Sequence, residues 1–287
     1  MKILLILGLF AFAKARVVNE NCDGVIVHNI NHNQEILKDN IEGPYQLAID
    51  YDSNMLFFSY TTDDPSSVFK SAYINLKTNE FQIIDGIKGG FANTVDDKAH
   101  VVYLGGNDGI YKFDPETKLA YRMDGTNDNI WQLFFKNNLY YTKYSEEHAY
   151  MYRNGQSERV PELIDTKAME FAIDNDENIY FSNSSGFYIY KNDKEYISYL
   201  GDYNVNGISA DMFGNLFFST PNGLFYIDGK SKKIETLALL DKVYGIAVES
   251  DGNIIYSSEN RIIRLKPTKT RCVDDKRSAS GSVVMVY

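Results

Sequence analysis

The chain has 287 residues, 44% of them hydrophobic, a net charge of −10 at neutral pH and only two cysteines. Length and apolar content support a large buried core, while the acidic balance leaves no basic face with which to displace counterions from nucleic acid. Four histidines and two cysteines leave little material for a His-centred catalytic triad or a Cys/His metal site.

In chain order, the first element is Lys2 followed by an apolar run from Ile3 to Phe12 and small residues at Ala11, Ala13 and Ala15. A positive end, a short apolar stretch and an Ala-x-Ala exit predict a secretory signal over 1–15, too short to span a membrane. Its removal takes Lys2 and Lys14 away, shifts the net charge from −10 to −12 and leaves a single domain expected over 16–273. No second apolar stretch approaches membrane-spanning length, so the product is expected to be soluble, released and monomeric, with no membrane or nucleic-acid partner.

From Gly24, GVIVHNINHNQEILKDN alternates apolar and polar residues on both sides of a polar turn, the pattern of a β-hairpin. A phrase then recurs six times: an apolar strand, a tight polar turn and an aromatic strand. The copies are LAIDYDSNMLFFS, NTVDDKAHVVYLG, LFFKNNLYYTK, FAIDNDENIYFSN, ISADMFGNLFFST and IAVESDGNIIYSS. Aligned on Asp50, Asp96, Lys136, Asp174, Asp211 and Glu249, they lie 46, 40, 38, 37 and 38 residues apart. That period, filled with short alternating strands and a second hairpin per repeat, predicts an all-β fold: a six-bladed β-propeller of four-stranded antiparallel blades.

The last copy is short of strands and the first hairpin has no partner, so the N-terminal segment is expected to complete the final blade and remove a free sheet edge. Cys22 and Cys272 then meet at that seam as one disulfide, worth about 4–5 kcal/mol in the chain-entropy model. The alternative is seven blades, with the N-terminal hairpin and SVVMVY from Ser282 forming an extra one. Residues 274–287 read as a tail, polar and small up to Gly281. The sequon Asn183-Ser184-Ser185 falls in a predicted turn and offers a glycosylation site.

The recurrent acids fit turn chemistry better than a carboxylate cluster, because Asp followed by Asn or Gly makes the tight connection between two strands. The histidines His28, His32, His100 and His148 read as solvated polar residues. More informative is the position five residues before each aligned anchor, at the start of every inner strand: Tyr45, Phe91, Trp131, Met169, Asn206 and Tyr244. Inner strands line a propeller's axis, so these side chains form a ring at one mouth of the central channel, with Gln46, Asn93, Gln132 and Glu170 beside them. Such a funnel suits a flat, conjugated molecule held by a few polar groups. Equally, the rings can serve only as packing between blades.

The phrase IAVESDGNIIYSSENRIIRL is similar to NHL-type repeats and to the calcium-dependent lactonases of the gluconolactonase and strictosidine-synthase superfamily. That resemblance implies a calcium on Glu, Asn and Asp side chains, a role for which Glu42, Asn93, Asn129, Glu170 and Asn206 are the candidates. Bulky aromatics would crowd such a metal, and no blade carries a second acid at the equivalent position. A closer resemblance covers the whole region after the signal: CDGVIVHNINHNQEILKDNIEGPYQLAIDYDSNMLFFSY, the lone terminal cysteine pair and the Tyr- and Phe-rich acidic chain resemble the ommochrome-binding proteins of insect, especially lepidopteran, haemolymph. The resemblance implies a secreted, non-enzymatic carrier of a planar tryptophan-derived pigment, with no cofactor beyond that ligand. The competing readings are a calcium-dependent lactonase or hydrolase and a propeller that binds protein through its outer loops.

Overall fold

The computed structural model describes residues 22–63 and 68–272. The expected signal over 1–15 and the tail over 274–287 lie outside the described residues.

Six antiparallel sheets form the blades. Each opens with an inner strand, and these are Tyr45–Asp50, Ala92–Asp96, Ile130–Lys136, Phe171–Ile173, Gly207–Ala210 and Val243–Val248. The first five sheets run outward through three further strands in chain order, which is the predicted double hairpin. The only helical element among the described residues is a single 3-10 turn, Pro161–Leu163, where proline's fixed φ suits the first position.

Blade 6 is built from both ends of the chain. Val243–Val248, Ile254–Ser258 and Arg261–Arg271 come from the C-terminal side, Ile30–Asp39 pairs antiparallel with Arg261–Arg271, and Val25–Val27 folds back as a fifth strand. The N-terminal hairpin therefore closes the sixth blade, so the seven-blade alternative does not hold. The closing sheet has five strands, where four were expected, because both arms of that hairpin join it. Cys22 and Cys272 form a disulfide with their Cα atoms 6.2 Å apart, beside a hydrogen bond from the Cys272 N–H to the Asn29 carbonyl at 2.8 Å.

Arg264 locks the same seam. Its guanidinium, almost fully buried, donates to both Glu249 oxygens at 2.6 and 2.8 Å, to Glu35 at 3.0 Å and to the Leu76 carbonyl of blade 1 at 3.0 Å. One side chain thus ties the C-terminal strand, the N-terminal strand and the neighbouring blade; leaving such a buried charge without partners typically costs about 3–5 kcal/mol.

Aromatic rings fill the seams between blades, where a flat residue packs on two pleated faces at once. Phe57 meets Phe113 at 5.2 Å between blades 1 and 2, Tyr103 stacks on Phe135 at 6.0 Å, Tyr140 lies 5.4 Å from Phe171 and Phe187 lies 4.9 Å from Phe218. Each pair adds about 0.5–1.5 kcal/mol beyond its burial. Buried Tyr141 and Tyr180 satisfy their hydroxyls on Asp128 and Asp174.

The anchor acids behave as turn formers. Asp50 accepts from the Asp52 N–H, Asp96 from Lys98 and Ala99, Asp174 from Asp176 and Asn178, and Asp211 from Phe213 and Asn215. Glu249, one methylene longer, goes to Arg264 instead. Among the histidines, His28 and His100 are exposed, but His32 is buried with its ring nitrogen on the Ile30 carbonyl, so the reading of His32 as solvated was wrong: its strand lies inside the closing blade.

Candidate functional site

The inner strands are regular along most of their length and irregular where they begin. The pairing register slips between Tyr45 and Ala48, between Ile130 and Gln132, and between Val243 and Gly245. A bulge re-aims the side chain it carries, and here the slips fall just after Tyr45 and at Trp131 and Tyr244. Gln46, next to the first, is held at φ 52°, a left-handed conformation that costs a non-glycine residue about 1 kcal/mol or more.

The predicted ring is consequently real as an arc of touching side chains. Tyr244 lies 4.8 Å from Tyr45, Tyr45 5.7 Å from Phe91, and Phe91 4.6 Å from Trp131. Two residues that the register did not pick out extend it: Tyr144, 5.4 Å from Trp131, and Phe69, 4.6 Å from Phe91. Both come from outside the inner strands, so no inner-strand alignment could find them. Met169 and Asn206 hold the equivalent positions of blades 4 and 5, and the Asn206 amide donates to the Val243 carbonyl at 2.7 Å.

Immediately inside this collar lies a buried polar belt. Gln46 donates from Nε2 to Glu170 Oε1 at 3.1 Å, Asn93 donates from Nδ2 to the Gln46 carbonyl at 3.0 Å, and Gln132 donates from Nε2 to the Phe171 carbonyl at 2.8 Å. The sequence-predicted polar residues are thereby brought together. Their other ends are unpaired: Asn93 Oδ1, Gln132 Oε1, Glu170 Oε2 and Trp131 Nε1 are buried without a hydrogen-bond partner. Each such atom costs about 1–3 kcal/mol while it stays unmatched.

Glu170 is 3% exposed. Burial pushes its carboxyl up to about 8, against the opposing pull of Gln46 and of the Trp131 indole N–H, which approaches without completing a hydrogen bond. At neutral pH it is the uncharged acid.

Beyond the belt the channel widens into a cavity of about 480 Å³ that opens at the opposite mouth, where the anchor turns lie. Gln46 and Asn93 lie at its inner end, the apolar faces of Leu47, Leu133, Phe134, Ile173 and Ile208 line its walls, and Tyr51, Asp97, Lys136, Met212 and Phe213 stand at its rim. Of the residues predicted for the ligand site, Asn93 lines this cavity; the aromatic collar closes the other end. Tyr51 is held by a bond from its hydroxyl to the Val248 carbonyl at 2.8 Å, and Lys136 is held by the Asp174 carbonyl and by Glu177. Asp97 has one edge in solvent, yet burial against the rim and the charges of Asp50 and Asp96 push its carboxyl up to about 6.

Met212 and Phe213 are 48% and 68% exposed. Sequence reasoning passed over them although the signal was present: DMFGN places two apolar residues in a turn that repeats such as DNDEN and ESDGN fill without any.

The residues considered for a calcium role, Glu42, Asn93, Asn129, Glu170 and Asn206, fall in different surroundings. Glu42 and Asn129 are exposed, the Asn206 amide donates to the Val243 carbonyl, and Asn93 and Glu170 lie in the buried belt. Among the described residues no three His, Cys, Asp or Glu side chains converge on one point.

No protein-family model matches the chain. In fold it is similar to a gluconolactonase from Xanthomonas campestris, with a TM-score of 0.67 at 11% identity over 88% of this chain and 94% of that one. It also matches a putative gluconolactonase, TM-score 0.65 at 8% identity over 87% and 100%, and a streptogramin B lyase, TM-score 0.54 at 15% identity over 83% and 98%. At such identities the likeness is one of fold. Sequence says more: the chain is 39% identical over 256 residues to the ommochrome-binding protein of the moth Manduca sexta, covering 87% of this chain and 93% of that protein. With that identity carried through nearly the whole propeller, the chain belongs to the ommochrome-binding protein family.

Proposed function

We propose that this protein is a secreted, non-enzymatic carrier that sequesters a planar pigment of the ommochrome class in its axial channel. The observation that carries the reading is the 39% identity to a protein named for binding ommochrome. The channel supplies a physical means: a cavity within the usual 300–1,000 Å³ of small-molecule sites, apolar walls, and buried polar atoms at one end. The pigment lies in the cavity with its inner edge against Gln46 and Asn93. Glu170 and Gln132 stiffen that floor, and the collar of Tyr45, Phe91, Trp131, Met169, Asn206 and Tyr244 backs it and excludes water.

A disulfide joining the two ends of the ring fits an oxidising, extracellular compartment such as haemolymph. Export by that route would also present the sequon at Asn183, whose amide donates to the Lys167 carbonyl at 3.2 Å. The test is direct. Mixed with an ommochrome preparation and passed through a sizing column, the protein should carry the visible absorbance with it and show quenched emission from its single Trp131. Pigment that elutes separately, or lactone hydrolysis that a chelator abolishes, overturns the carrier reading.

A further inference from the structure

The cavity floor has a hydrogen-bonding polarity that can be read atom by atom. Asn93 spends its Nδ2–H on the Gln46 carbonyl, which fixes the orientation of its amide and leaves Oδ1 buried, unpartnered and on a residue that lines the cavity. Gln46 spends one Nε2–H on Glu170 Oε1 and retains its Oε1 together with a second Nε2–H. Ser209 lines the same cavity with its hydroxyl unpartnered. Asn93 Oδ1 is thus the floor's fixed, unpartnered group and can only accept, whereas the Gln46 amide and the Ser209 hydroxyl can each accept or donate, and no charged group contributes to it.

We propose that this floor selects ligands that present an uncharged hydrogen-bond donor, a ring N–H or a phenolic O–H, at their inner edge, and that Glu170 is the residue that positions Gln46 to receive it. The inference rests on the carrier reading for the location of the ligand, but concerns which edge of it is recognised. A buried acceptor left unmatched costs far more than a matched one returns, so the floor discriminates mainly by rejecting edges that bring another acceptor. Glu170 suits its role because burial keeps it neutral at physiological pH, so the floor holds no charge that would demand a counter-ion from the ligand.

Acridone and xanthone separate the donor from everything else, being planar tricyclic ketones of the same outline that differ by a ring N–H in one and a ring oxygen in the other. Titrated into the full chain and followed by Trp131 emission and calorimetry, acridone should bind at least about tenfold more tightly than xanthone. Ser209→Ala should narrow that ratio and Asn93→Leu should bring it close to one. Glu170→Gln, which keeps a carbonyl for Gln46 to donate to, should preserve the ratio, and Glu170→Leu should reduce it. A ratio near one in the unmutated protein, binding of neither ketone, or a ratio that survives Asn93→Leu in folded protein overturns the inference. If ommochrome fails to bind while acridone is still preferred, the carrier reading falls and the selective floor stands.

Discussion

The two mouths of the channel are built from the same six strands and end in opposite chemistry. Where the strands begin, rings from blades 6, 1, 2 and 3 lean on one another at 4.6 to 5.7 Å and close the passage. Where they end, in Asx turns, an open cavity is rimmed by Asp97, Lys136 and an exposed Phe213. The difference lies in what reaches the axis: the rings of Tyr45, Phe91, Trp131 and Tyr244 pack on one another at the strand starts, three of them at or beside register slips, whereas at the strand ends turn residues such as Asp97, Met212 and Phe213 stand around the cavity. Aromatic residues can therefore mark the closed end of a propeller channel while its accessible end is written in turn residues.

Substitution at each mouth separates these roles. Ala210 lines the cavity, so Ala210→Trp should fill it and weaken ommochrome binding by about a hundredfold or more without moving the thermal midpoint by more than a few degrees. Unchanged affinity would move the ligand to the collar. Trp131→Ala removes a ring packed on Phe91 and the indole beside Glu170; we expect about tenfold weaker binding through a loosened floor. Trp131→Phe, which keeps a ring and loses only the N–H, should restore most of it. A larger loss for Trp131→Ala than for Ala210→Trp would reverse the ranking of the two mouths.

Proton linkage gives a smaller effect. Glu170 and Asp97 have carboxyls raised in the folded protein, to about 8 and about 6, from ordinary values of 4.5 and 3.8. The folded state therefore holds protons that the unfolded chain has released, and the stability tied to them is complete below about pH 4 and is lost as pH rises through 6 and then 8. Melting temperature measured from pH 5 to 9 should fall with pH, and Glu170→Gln should flatten the upper part of that slope. An identical slope in the variant would mean that Glu170 is already ionised at neutral pH. Smallest of all, Phe213→Ala at the open lip should weaken binding by about two- to fivefold, because a mostly exposed ring has little burial to lose. No change there would leave the lip outside the path of the ligand.

How much of this was legible follows from which forces are local. The blade count and the closure by the N-terminal hairpin were readable, because a repeat that must pack on its neighbours writes its period into the chain. The collar was readable as a register, since Tyr45, Phe91, Trp131, Met169, Asn206 and Tyr244 each lie five residues before an anchor and within two residues of the start of an inner strand. The meeting of Cys22 and Cys272 followed from the closure. The fifth strand of blade 6 and the burial of His32 were not readable, because both depend on how far the N-terminal hairpin inserts beside Arg261–Arg271.

By itself, then, the sequence determined the ring, its seam and the residue types placed along its axis, all of them consequences of strand alternation and turn chemistry between near neighbours. Tertiary structure alone decided which mouth is filled and which is open, since that depends on bulges at or beside Tyr45, Trp131 and Tyr244 and on rings from separate blades meeting across the axis. It also decided that Glu170 is an uncharged acid. A carboxyl's protonation follows from its solvation, and solvation is withdrawn here only when Gln46 and Trp131, each far from Glu170 in sequence, are folded against it.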